Sequence, residues 1–365
     1  MLKRRRVNFL FIVFFISSYR FLYSIDHYNN SETYYRLSSF ESVYTWSIAS
    51  VRKPPYISEA FVDSTDTLHF AYYDNTINSY LYVYGKDGNF NKAIIDSGIG
   101  NLVSLYIVSN DIHLAYTKDN KIYYANNNSG SFKNYSLVLD SKIKKIIDLK
   151  LVVSVFNSPI LFFIDNKGTL SVSRFFQYNF FSEAIYTNRL VDSVYPIAEN
   201  GGYTMFFKEH NTGDIFYASR KTNTRFKFFD KTPLIQNVNT YDINYEAHNR
   251  FSILYINRDN KNSILSKKFY DGVFYNDTII ENNENILYFN SILDYSANNV
   301  IFYRNYNNIV SFYTIDNTLD LSRLGSVDGI LRVVSARYPY YYIIYYNSLF
   351  NELRVSKINL RDIQK

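Results

Sequence analysis

Cysteine is absent from this 365-residue sequence. That excludes disulfides, thiolate metal sites, a cysteine nucleophile and the lipid-bearing cysteine that follows some bacterial export signals. A fold of this size without crosslinks must be held by its apolar core. Tryptophan occurs once, as Trp46, and there are only 12 glycines and 6 prolines. Ala-rich, helix-favouring stretches are missing. Compact catalytic signatures are missing too: no HExxH, GxSxG, phosphate loop or dinucleotide fingerprint occurs.

Acidic residues are missing from the first 24 positions, where Lys3, Arg4, Arg5, Arg6 and Arg20 cluster. Without these five the formal charge of +6 falls to +1, so the remaining chain is near neutral and nucleic acid is not an expected partner. A basic start, an apolar stretch from Val7 to Ile16 and the Leu22-Tyr23-Ser24 stretch read as an export signal over residues 1–24. An uncleaved membrane anchor is the alternative, because Arg20 interrupts the approach to the cleavage site. The apolar run is too short to span a bilayer. Residues 25–41 read as an extension and 42–365 as one domain of an exported protein that is periplasmic, cell-surface or extracellular.

What is present is strand-forming material. Hydrophobic residues make up 47% and aromatics 19%, almost all as 38 Tyr and 30 Phe, while the charged fraction of 20% is too low for a disordered chain. Seven segments share one pattern: an apolar strand with an aromatic near its end, a polar turn, then a second strand. The aromatic anchors are Tyr72, Tyr116, Phe163, Phe207, Tyr255, Tyr303 and Tyr345, spaced by 42 to 48 residues. The following strands start at Leu81, Ile122, Leu170, Ile215, Ile264, Ile309 and Leu353. Asn, Asp, Gly, Lys and Thr fill the turns between, as hairpins require. Gly88-Asn89-Phe90, Gly130-Ser131-Phe132 and Gly272-Val273-Phe274 mark a further turn and strand. Apolar runs precede the anchors, as at Tyr56 to Val62, Leu102 to Val108 and Ile292 to Tyr295. Four antiparallel strands per repeat predict an all-β, seven-bladed β-propeller. The last repeat lacks its fourth strand, and the run from Ser42 to Ser50 is expected to supply it and close the ring. An eight-bladed ring that uses residues 30–55 is the alternative, and blades three and four are the least regular.

The strands HFAYYD, from His69 to Asp74, and HLAY, from His113 to Tyr116, carry a resemblance to secreted propellers of the broad sialidase-like group. It is clearest over residues 56–140. The resemblance implies architecture, and it raises glycan hydrolysis through an arginine cluster, acidic residues and a tyrosine nucleophile. Against that, the Asp-box signature Ser-x-Asp-x-Gly-x-Thr-Trp is absent. Arg174, Arg220, Arg258, Arg304 and Arg337 all lie near turns, where arginine is usually a solvated surface group.

Five histidines occur, at positions 27, 69, 113, 210 and 248. His69 and His113 stand at equivalent repeat positions, which favours a structural role over metal ligation. Asp74, Asp119 and Asp165 follow their anchors and read as turn caps, with a cation site in a channel as the alternative. The aromatic run from Tyr338 to Tyr346 reads as a central strand alternating between core and blade surface, with a carbohydrate-stacking platform as the alternative. Sequons at Asn29, Asn127, Asn134 and Asn276 carry little weight in so asparagine-rich a chain. No catalytic residue, metal ligand or cofactor is assigned. The expected function is a monomeric, non-enzymatic binding or scaffolding module of the cell envelope that takes a protein or glycan partner and touches membrane only through an uncleaved N-terminal segment. A glycan-acting hydrolase or lyase is the alternative.

Overall fold

The computed structural model describes residues 43–359, apart from residues 109, 128–131, 140–144, 155–156, 177–178, 187–188, 200–201, 222–226, 229–231, 248–249, 271–272, 282–284, 294–298, 306–309, 315–316, 321–326 and 336–339. The expected signal, the extension, His27, His248, Arg337, Asn29, Gly130 and Gly272 lie outside the described residues.

The described residues are all-β and form seven antiparallel sheets. The first sheet holds Tyr56–Ile57, Leu68–Asp74, Ser79–Lys86 and Asn89–Ser97, with Phe61–Val62 paired beside Leu68–Asp74. The second holds Gly100–Val108, Asp111–Lys118, Lys121–Asn126 and Lys133–Leu139. The third holds Ile146–Val153, Pro159–Asp165, Leu170–Phe176 and Asn179–Tyr186. The fourth holds Val191–Glu199, Gly202–Glu209, Ile215–Lys221 and the short Lys227–Phe228. The fifth holds Val238–Ala247, Arg250–Asn257, Ser263–Tyr270 and Val273–Glu281. The sixth holds Ile286–Leu293, Asn299–Asn305, Val310–Thr314 and Asn317–Asp320. The seventh holds Val327–Ser335, Tyr340–Asn347 and Glu352–Asn359, with Val43–Ser50 as its fourth strand. Val43–Ser50 pairs antiparallel with Glu352–Asn359, Val43 opposite Ile358 and Ser50 opposite Glu352.

Every anchor lies on the second strand of its sheet, and the strands that follow begin within two residues of the expected starts. One placement is corrected. The run expected at Ile292 to Tyr295 is not the first strand of the sixth sheet; that strand is Ile286–Leu293, with Phe289 opposite Tyr303. The apolar residues there are interrupted by Asn290 and Ser291, which hides the strand from a search for apolar runs.

Second strands are buried on both faces, since each sheet packs between two others. In Leu68–Asp74, Phe70 and Tyr72 pack against Tyr342, Ile344 and Val355 of the seventh sheet, while Ala71 and Tyr73 pack against Leu114 and Tyr116 of the second. Phe163 packs toward the second sheet and Phe162 toward the fourth. Such burial explains continuous aromatic strands where a one-sided sheet would alternate. Tyr341 to Tyr346 are buried for the same reason, so this stretch is neither a stacking platform nor an alternating strand.

Hairpin turns follow from residues that accept positive φ. Asp119 and Asn120 join two strands at φ 50° and 59°, and Asp87 and Gly88 do so at 49° and 89°. Gly88 also lies against the indole of Trp46, where an added Cβ would stand 2.6 Å from Nε1. Trp46 stacks on Tyr44 and meets Phe90, tying Val43–Ser50 to the first sheet. Gly88→Ala is expected to lower stability by about 1–3 kcal/mol through left-handed strain and the indole clash. Urea unfolding followed by the fluorescence of this single tryptophan measures it.

Candidate functional site

The first strands of successive sheets are neighbours. Ile146–Val153 packs against both Gly100–Val108 and Val191–Glu199, Ile286–Leu293 packs against both Val238–Ala247 and Val327–Ser335, and Val327–Ser335 meets Phe61–Val62. On each first strand one register position is set by the anchor. The residue just before the anchor faces Ser104, Lys150, Tyr195, Asp242, Asn290 or Arg332 across the ladder. In the first sheet the corresponding residue is Ser58, whose Oγ accepts from Ala71 N at 2.9 Å. All seven are polar, in strands that are otherwise largely apolar.

These side chains and their neighbours form one electrostatic cluster. Lys150 Nζ donates to Glu59 Oε1 at 2.5 Å, and Ser104 Oγ donates to Glu59 Oε2 at 2.9 Å. Leu151 N donates to Ser104 Oγ at 2.9 Å. Asp148 accepts from Leu149 N at 2.9 Å and Val194 N at 3.1 Å. Asp242 Oδ2 accepts from Ser291 N, Ser291 Oγ and Asn290 Nδ2 at 2.8, 3.1 and 2.9 Å. Arg332 Nη1 donates to the Tyr288 hydroxyl at 2.9 Å. Lys150 and Glu59 are enclosed by protein yet keep 20% and 34% of their side-chain surface accessible. Deep enclosure with residual accessibility means that they border an internal space.

Burial penalises every charge in this cluster, and the partners decide the outcome. Burial pushes the Glu59 carboxyl up, but Lys150 and Arg332 outweigh it and hold the group below its ordinary value. Burial dominates at Asp148 and Asp242 and raises both carboxyls, against the hydrogen bonds they accept. Burial also raises the Tyr56, Tyr195 and Tyr241 hydroxyls. Lys150 and Arg332, whose burial alone would lower them, are raised by the surrounding acidic groups and stay cationic.

Residues singled out in the sequence lie elsewhere. Asp74 caps its turn through Thr76 N at 2.8 Å, and Asp165 through Lys167 N and Thr169 N at 2.9 and 2.8 Å. His69 Nδ1 and His113 Nδ1 meet the hydroxyls of Tyr82 and Tyr124 at 2.5 and 2.6 Å, the same contact in adjacent sheets. His210 is exposed, 3.7 Å from Asp192. Arg174 and Arg220 share Glu183 beside Tyr203, whereas Arg258 holds the carbonyls of His210 and Asn211 at 2.9 and 2.8 Å. Arg174 and Arg220 thus meet at Glu183, and Arg258 bonds elsewhere, to backbone carbonyls. Among the described residues no three His, Asp or Glu side chains are arranged to hold a metal ion. The signal that could have found the cluster was a charge flanked by apolar residues within a first strand: Lys150 in LKL, Asp242 in YDI and Arg332 in LRV.

No protein family matched the sequence, and no curated protein was similar to it. Solved structures match the fold. A fucose-specific lectin from Aleuria aurantia aligns with TM-score 0.51 at 9% identity over 72% of this chain and 91% of the lectin. Virginiamycin B lyase from Staphylococcus aureus aligns with TM-score 0.57 at 12% identity over 87% of this chain and 99% of the lyase. BBS1N, solved in complex with ARL6DN, aligns with TM-score 0.58 at 10% identity over 87% of this chain and 96% of its own. The chain therefore has a propeller-like all-β fold similar to propeller lectins and related proteins, a broader likeness than the sialidase-like group alone.

Two outcomes are expected of the cluster. Lys150→Met removes the bonded cation of Glu59, leaves Arg332 acting on it through space and costs about 1–3 kcal/mol of unfolding free energy, part of which adding Glu59→Gln recovers. Urea midpoints of the single and double variants measure the coupling. Asp148 and Asp242 have raised folded-state carboxyls, so their contribution is present below the ordinary carboxylate range and lost as pH rises through the raised values. The stability gap between the wild type and D148N/D242N is expected to shrink as pH rises above the ordinary carboxylate range. The lowered Glu59 loses its contribution at the acid end in both proteins and cancels.

Proposed function

We propose that this protein is an exported, glycan-binding propeller in which the seven sheets are blades of one ring clasped by Val43–Ser50. The observation that carries the reading is the propeller-like fold shared with sugar-binding lectins. The packing supports the ring: the hydrophobic clusters lie between consecutive sheets, and one joins the seventh to the first. Export rests on the basic and apolar character of residues 1–24.

The glycan contact we favour lies at the turn after Tyr340–Asn347. Leu349 and Phe350 are 72% and 55% exposed there, and the Arg354 guanidinium sits 4.4 Å from the Phe350 ring centre with Glu352 at 2.8 Å. Val51 N donates to Asn351 O and Arg52 N to Thr76 Oγ1, so this turn adjoins the turn of the first sheet. An exposed ring flanked by a fixed guanidinium and carboxylate suits a sugar, whose CH face stacks while its hydroxyls bridge the charges. A glycan-acting enzyme is not the favoured reading, since only Arg174 and Arg220 meet at one carboxylate and Arg258 bonds elsewhere.

A glycan array followed by calorimetry on the full chain tests the proposal. Binding to a defined saccharide in the micromolar to millimolar range is expected, with Phe350→Ala weakening it by roughly tenfold while leaving the unfolding midpoint unchanged. Absence of any glycan ligand, or undiminished binding by the variant, would overturn the reading or its placement respectively.

A further inference from the structure

Within the internal space one charge is, among the described residues, not neutralised by direct contact. Arg332 is enclosed by protein, part of its side chain borders accessible space, and its direct polar contact is the Tyr288 hydroxyl. Its Nε is buried without a hydrogen-bond partner among the described residues. Glu59 and Asp242 act on it through space, and the hydrogen bonds they accept come from other groups. Glu59 accepts from Lys150 and Ser104, and Asp242 from Asn290, Ser291 and the backbone of Ile243. The other nearby cation, Lys150, is committed to Glu59 in turn.

A partly enclosed guanidinium without a bonded carboxylate is poorly compensated, and an anion that reaches it gains a charge-assisted hydrogen bond. Its planar fork matches a planar anion with two oxygens. We infer that the internal space beside Arg332 binds a small carboxylate monoanion, gripped by the Arg332 fork and the Tyr288 hydroxyl. The Tyr288 oxygen accepts from Arg332 and keeps its own O–H to donate to the ligand. Selection for a single negative charge follows from Glu59, which stays ionised near the guanidinium and repels a dianion such as phosphate more strongly than a monoanion. The site is separate from the exposed turn around Phe350 and stands whether or not that turn binds sugar.

The test uses the full chain with three probes at equal ionic strength: sodium acetate, sodium glucuronate and neutral glucose. Thermal unfolding and calorimetry read the binding, since a ligand of the native state raises Tm by mass action. Both carboxylates raising Tm means that the carboxylate group suffices; glucuronate alone doing so means that the site reads a carboxylated sugar. Either result supports the inference. Arg332→Met is expected to lower the affinity roughly 10- to 100-fold, and Tyr288→Phe, which keeps the guanidinium, roughly 3- to 10-fold. If R332M does not fold, Y288F decides. No response to either carboxylate, an equal response to glucose, a stronger response to phosphate, or unchanged affinity in Y288F together with R332M would overturn it.

Discussion

The structure depends on how the free edges of its first strands are satisfied. Each first strand pairs on one side only, which leaves backbone N–H groups of the other edge facing the interior, where an unmet donor is costly. Side chains of the preceding sheet meet them. Glu59 accepts from Leu105 N, Ser104 from Leu151 N, Asp148 from Val194 N and Asp242 from Ser291 N, each bond crossing from one sheet to the next. Apolar packing holds neighbouring sheets together but is tolerant of sliding. These directional bonds fix the offset between sheets. The same requirement explains why polar residues survive in strands otherwise built for a core.

A cluster recruited for that purpose is also a chemical resource. Its carboxyls are separated by environment into one held ionised by Lys150 and two biased toward the protonated form by burial. Two cations stand among them, one committed and one not. Support from seven sheets gives these groups a rigid frame, and rigidity is what allows weak individual contacts to discriminate between ligands.

Much of the architecture was legible because the anchors carry two signals at once. An aromatic such as Tyr72 or Phe207 ends a buried strand, and the Asn, Asp or Gly after it marks the turn, so the strand pair appears in a single sequence window. The inner strands were harder. Ile286–Leu293 contains Asn290 and Ser291 because it borders the polar interior, and that defeats a search for apolar runs. Lys150, Asp242 and Arg332 lie far apart in sequence, and each alone resembles an ordinary surface charge. Only the ladder register places them at one level. The aromatic run ending at Tyr346 misled in the opposite direction: a strand covered on both faces has no polar side for alternation to reveal.

The pairing of Val43–Ser50 with Glu352–Asn359 also sets how the molecule responds to force. Because Val43 lies opposite Ile358, the chain leaves the sheet on both sides at the same end of the ladder. Tension applied through the two flanking segments would load the hydrogen bonds one rung at a time, as in unzipping, rather than all together in shear. The strand that joins sequence positions more than 300 residues apart is therefore also the one that a modest pull would peel from its partner first.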